Sequence, residues 1–275
     1  MMKPYVGLMQ RFAPQTLARQ PEMDVVMYDR EQDEQFTRDG QEGSLAVLYQ
    51  LIVEALLRLA PQGGRALDIG CGSAQLLCRI ASEMPDIRFT GLDLSPHMLE
   101  FGRRSAEQYE LENVNFLTHS WRELGALEKA GYDLVTWHLA LHHCDDADEV
   151  VRVIDDATEL LREGGTLFLF DIVRPKTGRL AVHLADMYNT RWGSWYYQDA
   201  LDSYKAAFTF DEFGEILRRS KLEGAVHVQP MVFNFWQAAY VSSRANPKPE
   251  ASSRLGSFWQ RRDHFLLKLA FGGRL

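Results

Sequence analysis

The chain has no apolar run of the roughly 18 residues that a membrane-spanning helix requires. Its longest, Leu45 to Leu59, is interrupted by Gln50, Glu54 and Arg58, as in an amphipathic helix. Cysteine is scarce: Cys71, Cys78 and Cys144 are odd in number and widely scattered in 275 residues. That pattern argues against a disulfide framework and against a zinc site of CxxC type. A basic surplus is missing too, since 30 Lys and Arg face 38 Asp and Glu, a net charge of −8. Proteins that bind nucleic acid draw much of their affinity from neutralised phosphates, so nucleic acid is not the expected partner. The N-terminus lacks the basic, apolar and small-residue succession of a signal peptide, which makes a cytoplasmic location the expectation.

What is present is an ordinary globular composition, 46% hydrophobic and 25% charged, on a length that suits one decorated α/β domain. Residues 1–43 are polar and weakly periodic and read as a cap or lid with short helices. Ser44 is a plausible N-cap for a helix whose Leu45, Leu48, Ile52, Ala55, Leu56 and Leu59 recur at helical spacing. From Arg65 the pattern alternates. Strands are expected at Arg65–Ile69, Phe89–Leu92, Val114–Leu117, Asp133–Trp137 and Thr166–Phe170. Helices are expected at Ser73–Met84, Pro96–Tyr109 and Ala147–Leu161. Such alternation implies parallel βαβ units with helices on both sheet faces. Residues 176–208 interrupt the rhythm as an aromatic-rich insertion on the substrate side, followed by a helix at Phe210–Ser220. Gly224–Val228 and Val232–Val241 read as a closing antiparallel hairpin. The domain is therefore expected over 44–243, with a linker and a basic amphipathic helix in 244–275.

Leu67 to Ala74, Leu-Asp-Ile-Gly-Cys-Gly-Ser-Ala, runs a buried strand through a Gly-x-Gly turn into a helix. Glycines allow the turn and a close ligand approach, and the helix start offers free N–H groups. The third glycine of the dinucleotide fingerprint is absent, because Gln75 stands there. Asp93, 21 residues past Gly72, ends the second strand where a carboxylate can accept both ribose hydroxyls. Asp68 sits at the mouth of the turn, where it would repel a pyrophosphate and attract an ammonium or a sulfonium. S-adenosylmethionine carries both cations, a ribose and no phosphate. It suits this pair of acids better than NAD or FAD.

With these residues the chain resembles the class I S-adenosylmethionine-dependent methyltransferases, small-molecule type, from about Leu56 to Val241. Leu67 to Ser73 is similar to the family's cofactor loop, and Gly91 to Leu99 to its ribose-binding strand end. Tyr132 to Val135 with Leu139 to His143 is similar to its fourth strand, and Leu160 to Leu169 to the turn into its fifth. The resemblance implies a Rossmann-like, seven-stranded, mostly parallel sheet whose last strand is antiparallel, with an N-terminal helical lid and an insertion after strand 5. It assigns the methionine part of the cofactor to Asp68, Gly70, Cys71 and Gly72, and the ribose to Asp93. It places Leu94 and Met98 beside the adenine. Ser120 stands where the family often has an Asp, with Trp121 as an adenine surface. His138 and Tyr28 join the cofactor set, Tyr28 as part of a closing lid.

Methyl transfer is an in-line displacement, and holding the acceptor against the methyl group supplies most of what it needs. His142 and His138, at the end of the fourth strand, are candidate general bases because imidazole titrates near neutrality. His143 reads as a structural residue. A metal site from His138, His142, His143 and Asp171 matches no ligand spacing, so none is expected. Substrate contacts are expected from His142, Arg174, Tyr188, Trp192, Trp195, Tyr196 and Tyr204, since aromatics with few polar groups suit an orienting pocket. Competing readings are a pseudoenzyme or regulatory protein that binds S-adenosylmethionine without turnover, an RNA or protein methyltransferase, and an NAD-dependent dehydrogenase. No Asn/Asp-Pro-Pro-aromatic signature follows the fourth strand, where Trp137-His138-Leu139-Ala140 stands. That disfavours nucleobase amino groups. The acceptor atom is left open, and so is a homodimer.

Overall fold

The computed structural model describes residues 4–22, 45–188, 195–230 and 234–243. Helix α1 (Pro4–Phe12) lies in the N-terminal segment, and α2 (Leu45–Leu59) precedes the sheet. Strand and helix then alternate as β1 (Gly64–Ile69), α3 (Gln75–Glu83), β2 (Ile87–Asp93), α4 (Pro96–Gln108) and β3 (Val114–Thr118). A 3-10 turn at Trp121–Ala126 leads to β4 (Tyr132–His138), and a second at Leu141–His143 leads to α5 (Ala147–Leu160) and β5 (Leu161–Ile172). Helices α6 (Gly178–Tyr188), α7 (Trp195–Ala206) and α8 (Phe210–Arg219) precede the closing pair β6 (Val226–Val228) and β7 (Trp236–Val241).

The local chemistry explains the helix starts. Ser95 caps α4 by accepting the Met98 N–H, and Pro96 takes the first turn, where its missing N–H costs nothing. Asp146 caps α5 in the same way through Glu149 N–H. Thr209 and Glu212 form a reciprocal capping box on α8.

The seven strands are ordered β3-β2-β1-β4-β5-β7-β6. All pairs from β3 to β5 are parallel, while β7 runs antiparallel to both of its neighbours. Six strands thus point one way and β7 the other. One face packs on α2, α3 and α6 through Ile52, Leu56, Leu77, Ile80, Phe168 and Leu184. The other packs on α5 and α8 through Val135, Trp137, Ile154, Leu169, Phe213 and Ile216. Each of these large side chains contributes about 1.5–3 kcal/mol by leaving water. Strand order reverses between β1 and β4, so a crevice opens above their carboxyl ends.

Two boundaries differ from expectation. β5 begins at Leu161, directly after α5, because an irregularity between Tyr132 and Leu134 lets Leu161 pair with Tyr132. The insertion is largely helical, built from α6 and α7. Its aromatics obscured a helical period.

Candidate active site

Gly70 (φ 64°) and Gly72 (φ 54°) turn the backbone left-handed after β1. A Cβ on Gly70 would stand 3.1 Å from Ala140 Cβ, so packing excludes it, whereas one on Gly72 would meet nothing within 4 Å. The space at Gly72 is open for a ligand. Ala74 is also left-handed at φ 56°, which costs a residue with a side chain about 1–2 kcal/mol. Cys71 N–H donating to Leu92 O at 2.9 Å and Ala74 N–H to Cys71 O at 2.9 Å hold the loop in that shape. No side chain caps α3, so its first N–H groups face the loop unclaimed by a cap.

Asp93 locks this loop from β2. Its Oδ2 accepts Gly72 N–H at 2.8 Å and its Oδ1 accepts Ser95 N–H at 2.9 Å. Burial raises its pKa, and those two N–H groups oppose the rise. Each oxygen keeps a second lone pair. Asp68, buried at the end of β1, accepts the Thr136 hydroxyl at 2.8 Å. His138 Nδ1 lies 3.1 Å from the same Asp68 oxygen, yet neither ring nitrogen of His138 is aligned in a hydrogen bond among the described residues. Trp137 Nε1, buried near Gly70, likewise lacks an acceptor among them. Sequence reasoning missed Thr136, which looked like one more strand residue.

The expected adenine residues divide. Met98 is buried and Leu94 is 40% exposed, flanking the start of α4. Ser120 instead caps the 3-10 turn by accepting Arg122 N–H at 3.2 Å, so part of its hydrogen-bonding capacity is spent locally. Trp121 is buried against Trp137, with Nε1 donating to Glu149 Oε1 at 3.2 Å. That bond fixes its indole below the glycine loop.

A second polar cluster stands at the ends of β4 and β5. Asp171 Oδ2 accepts His142 N–H at 2.9 Å, and Asp171 Oδ1 lies 2.7 Å from His142 Nδ1. Glu22, from the N-terminal segment, brings Oε2 to 2.6 Å from His143 Nδ1. The two imidazoles are 4.3 Å apart between centroids. Burial by itself would lower the His142 pKa, but Asp171, Glu22 and Asp199 outweigh it and raise it to about 9. Burial works against Glu22 as well, and His143, His142 and Ser203 together bring it down to about 2. Asp199, on α7, is pushed up to about 6 by burial and by Glu22. Arg19 pins the segment that carries Glu22. Its guanidinium donates to the carbonyls of Ala206, Asp145, His142 and Cys144 and lies 4.2 Å over the Phe208 ring.

Two substrate expectations are corrected. Arg174 is almost wholly buried and its guanidinium is taken up by Leu17 O, Ala207 O and Glu212, so it clamps the N-terminal segment to α8. Tyr204 is buried in the core, with its phenol pKa driven up by burial. Tyr28 and Trp192 lie outside the described residues, and the side chains of Tyr188, Trp195 and Tyr196 do as well. Glu22 and Asp199 were not anticipated. Nothing in their local sequence marks them, and only the fold brings them to the histidines.

Residues 67–167 match the family model described as a methyltransferase domain. That stretch runs from β1 into β5 and carries the glycine loop, Asp93 and the histidines. A ubiquinone biosynthesis O-methyltransferase of Xanthomonas axonopodis pv. citri is 30% identical over 149 residues, 52% of this chain and 59% of that protein. A demethylmenaquinone methyltransferase of Listeria welshimeri is 31% identical over 115 residues, 42% of this chain and 47% of its own length. The chain thus spans about half the length of the relatives it matches. Among solved structures, the plantazolicin methyltransferase BpumL in complex with SAH superposes at TM-score 0.60 and 15% identity, covering 88% of this chain and 95% of that one. A SAM-dependent methyltransferase from Aquifex aeolicus does so at 0.53 and 13%, covering 78% and 98%. At these identities the structures share the class I methyltransferase fold.

The residues present fit S-adenosylmethionine. Among the described residues, open space at Gly72, free lone pairs on Asp93, and buried nitrogens of His138 and Trp137 without an aligned hydrogen bond surround the crevice at the β1–β4 switch. The two carboxylates, with no Lys or Arg among the described residues hydrogen-bonded to either, would oppose a pyrophosphate.

Proposed function

We propose that this chain binds S-adenosylmethionine and transfers its methyl group to a small-molecule acceptor. The observation that carries the reading is the Asp93 carboxylate locked onto Gly72 N–H, with Asp68 across the same loop. When bound, the cofactor supplies an electrophilic methyl on a sulfonium. In this reading Asp93 accepts the two ribose hydroxyls through its remaining lone pairs, and Met98 and Leu94 flank the adenine above Trp121. Asp68 receives the ammonium, and His138, whose ring nitrogens make no aligned hydrogen bond among the described residues, receives the carboxylate.

The acceptor enters from the side of β4 and β5 where the His142–His143–Glu22 cluster stands. His142 is the acceptor-activating group in its neutral form; with its pKa raised to about 9 it is protonated at neutral pH, so turnover should rise as the pH approaches 9. Asp171 engages its Nδ1 and fixes the ring, so Nε2 is the working atom. The histidines, Glu22 and Asp171 form a largely water-excluding polar wall, and proximity then supplies roughly 7–11 kcal/mol of the barrier reduction. The relatives' names make a quinone-type ring the first acceptor to try.

Calorimetric titration of the full chain with S-adenosylhomocysteine and with NAD tests the cofactor. The expected result is micromolar or tighter S-adenosylhomocysteine binding and no NAD binding, and the reverse would sink the reading. Turnover is tested by S-adenosylhomocysteine release with hydroxylated and quinol-type rings. Binding without release across a broad acceptor panel would make the chain a cofactor-binding protein instead.

A further inference from the structure

We propose that Glu22, His142 and His143 form a binding site for one divalent transition-metal ion on the acceptor side of the crevice. Each offers a donor atom, and the three atoms lie within 4.8 Å of one another. They come from two distant segments, the N-terminal strap and the 3-10 turn after β4.

The contacts differ from those of a plain ion pair. Glu22 Oε2 and His143 Nδ1 approach to 2.6 Å, yet His143 Nδ1 makes no aligned hydrogen bond. The other Glu22 oxygen, Oε1, is buried and without a hydrogen-bond partner among the described residues. Donor atoms gathered this closely without an aligned hydrogen bond between Glu22 and His143 leave lone pairs for a shared cation. A cation at the centre satisfies both. With metal–ligand bonds of about 2.0–2.1 Å, tetrahedral donors stand about 3.4 Å apart, between the observed limits of 2.6 and 4.8 Å. Small side-chain rotations suffice.

The surroundings match a metal site in a second respect. Asp171 binds His142 Nδ1 at 2.7 Å, which presents Nε2 as the ligand atom and forms the carboxylate–histidine–metal arrangement that orients metal ligands. Arg19 holds the carbonyls of His142 and Cys144, so the turn carrying both imidazoles is braced. Two imidazoles and one carboxylate select zinc, iron(II), cobalt(II) or a similar ion over calcium and magnesium. Three protein ligands leave a position open, where an acceptor oxygen would bind and lose its proton to solvent, His142 then serving as a ligand in place of a base. That role for the ion rests on the methyl-transfer reading, whereas the ion's binding does not.

The test uses the full chain, freed of any purification tag and stripped with chelator, then titrated with cobalt(II) alone and followed by its visible absorption and by elemental analysis. One equivalent per chain is expected, displaceable by zinc. Glu22→Gln and His143→Ala should each weaken binding at least tenfold, and Asp171→Asn by roughly 10–100-fold. S-adenosylhomocysteine affinity should stay within twofold in all three variants, which confirms that they fold. Absence of a stoichiometric ion, or equal binding by the Glu22→Gln/His143→Ala double variant, overturns the site. Failure of the wild type to bind S-adenosylhomocysteine would refute the proposed function and leave a stoichiometric cobalt result standing.

Discussion

Replacing Asp93 by alanine removes a side chain that both shapes the glycine loop and faces the proposed ribose position. Its two oxygens accept Gly72 N–H at 2.8 Å and Ser95 N–H at 2.9 Å, with one lone pair each left for a ribose hydroxyl. A hydrogen bond to a charged acceptor contributes about 1.5–3 kcal/mol. Losing one such bond weakens binding by about one to two powers of ten, and losing both by about two to four. The two backbone N–H groups also lose their acceptor, so a lower melting temperature is expected, and affinity must be measured well below it. Asp93→Asn is informative beside it. The amide keeps one acceptor oxygen but turns an NH2 toward one of those backbone donors, so it should not rescue fully. Calorimetry with S-adenosylhomocysteine, with circular dichroism as the folding control, reads the result. Affinity within twofold of wild type in a folded Asp93→Ala protein would mean that the ribose is not held there.

Gly72→Ala should fold with a modest loss of about 1–2 kcal/mol, because only the left-handed φ opposes it. Its S-adenosylhomocysteine affinity should still drop at least tenfold, since the methyl fills the approach to the loop; an unchanged affinity would place the ligand elsewhere. Thr136→Val strips Asp68 of a 2.8 Å donor and should cost about 1–3 kcal/mol in denaturant unfolding. Arg19→Ala breaks four carbonyl contacts and the packing on Phe208, so amide exchange across residues 14–22 should accelerate while the central strands stay protected. His142→Ala should abolish acceptor turnover with S-adenosylhomocysteine binding kept within twofold, and retained turnover would remove His142 from the acceptor side.

The repeating sheet was legible because its signals are local. Leu67 to Ile69 and Leu134 to Trp137 are short apolar runs bounded by turns, and Ser95-Pro96 and Thr209 with Glu212 announce helix starts within four residues. The placement of Asp68, Gly70, Gly72 and Asp93 was legible for the same reason: a strand ends and a turn begins there, and the parallel pairing of β1 with β2 brings Asp93 onto Gly72. The insertion was less legible, since the aromatics and charges of α7 mask its period, although α6 does bury Leu180, Ala181, Leu184 and Ala185 on one face.

What tertiary structure alone decided lies where distant segments meet. Arg174 looked free for a substrate, and the fold uses it up on Leu17, Ala207 and Glu212. Glu22 looked like one acid in a polar segment, yet it stands 2.6 Å from His143, and Asp199 joins them from α7. A residue's neighbours along the chain set its backbone conformation. Its charge state and its contacts are set by groups more than a hundred residues away, which burial concentrates into one low-dielectric cluster.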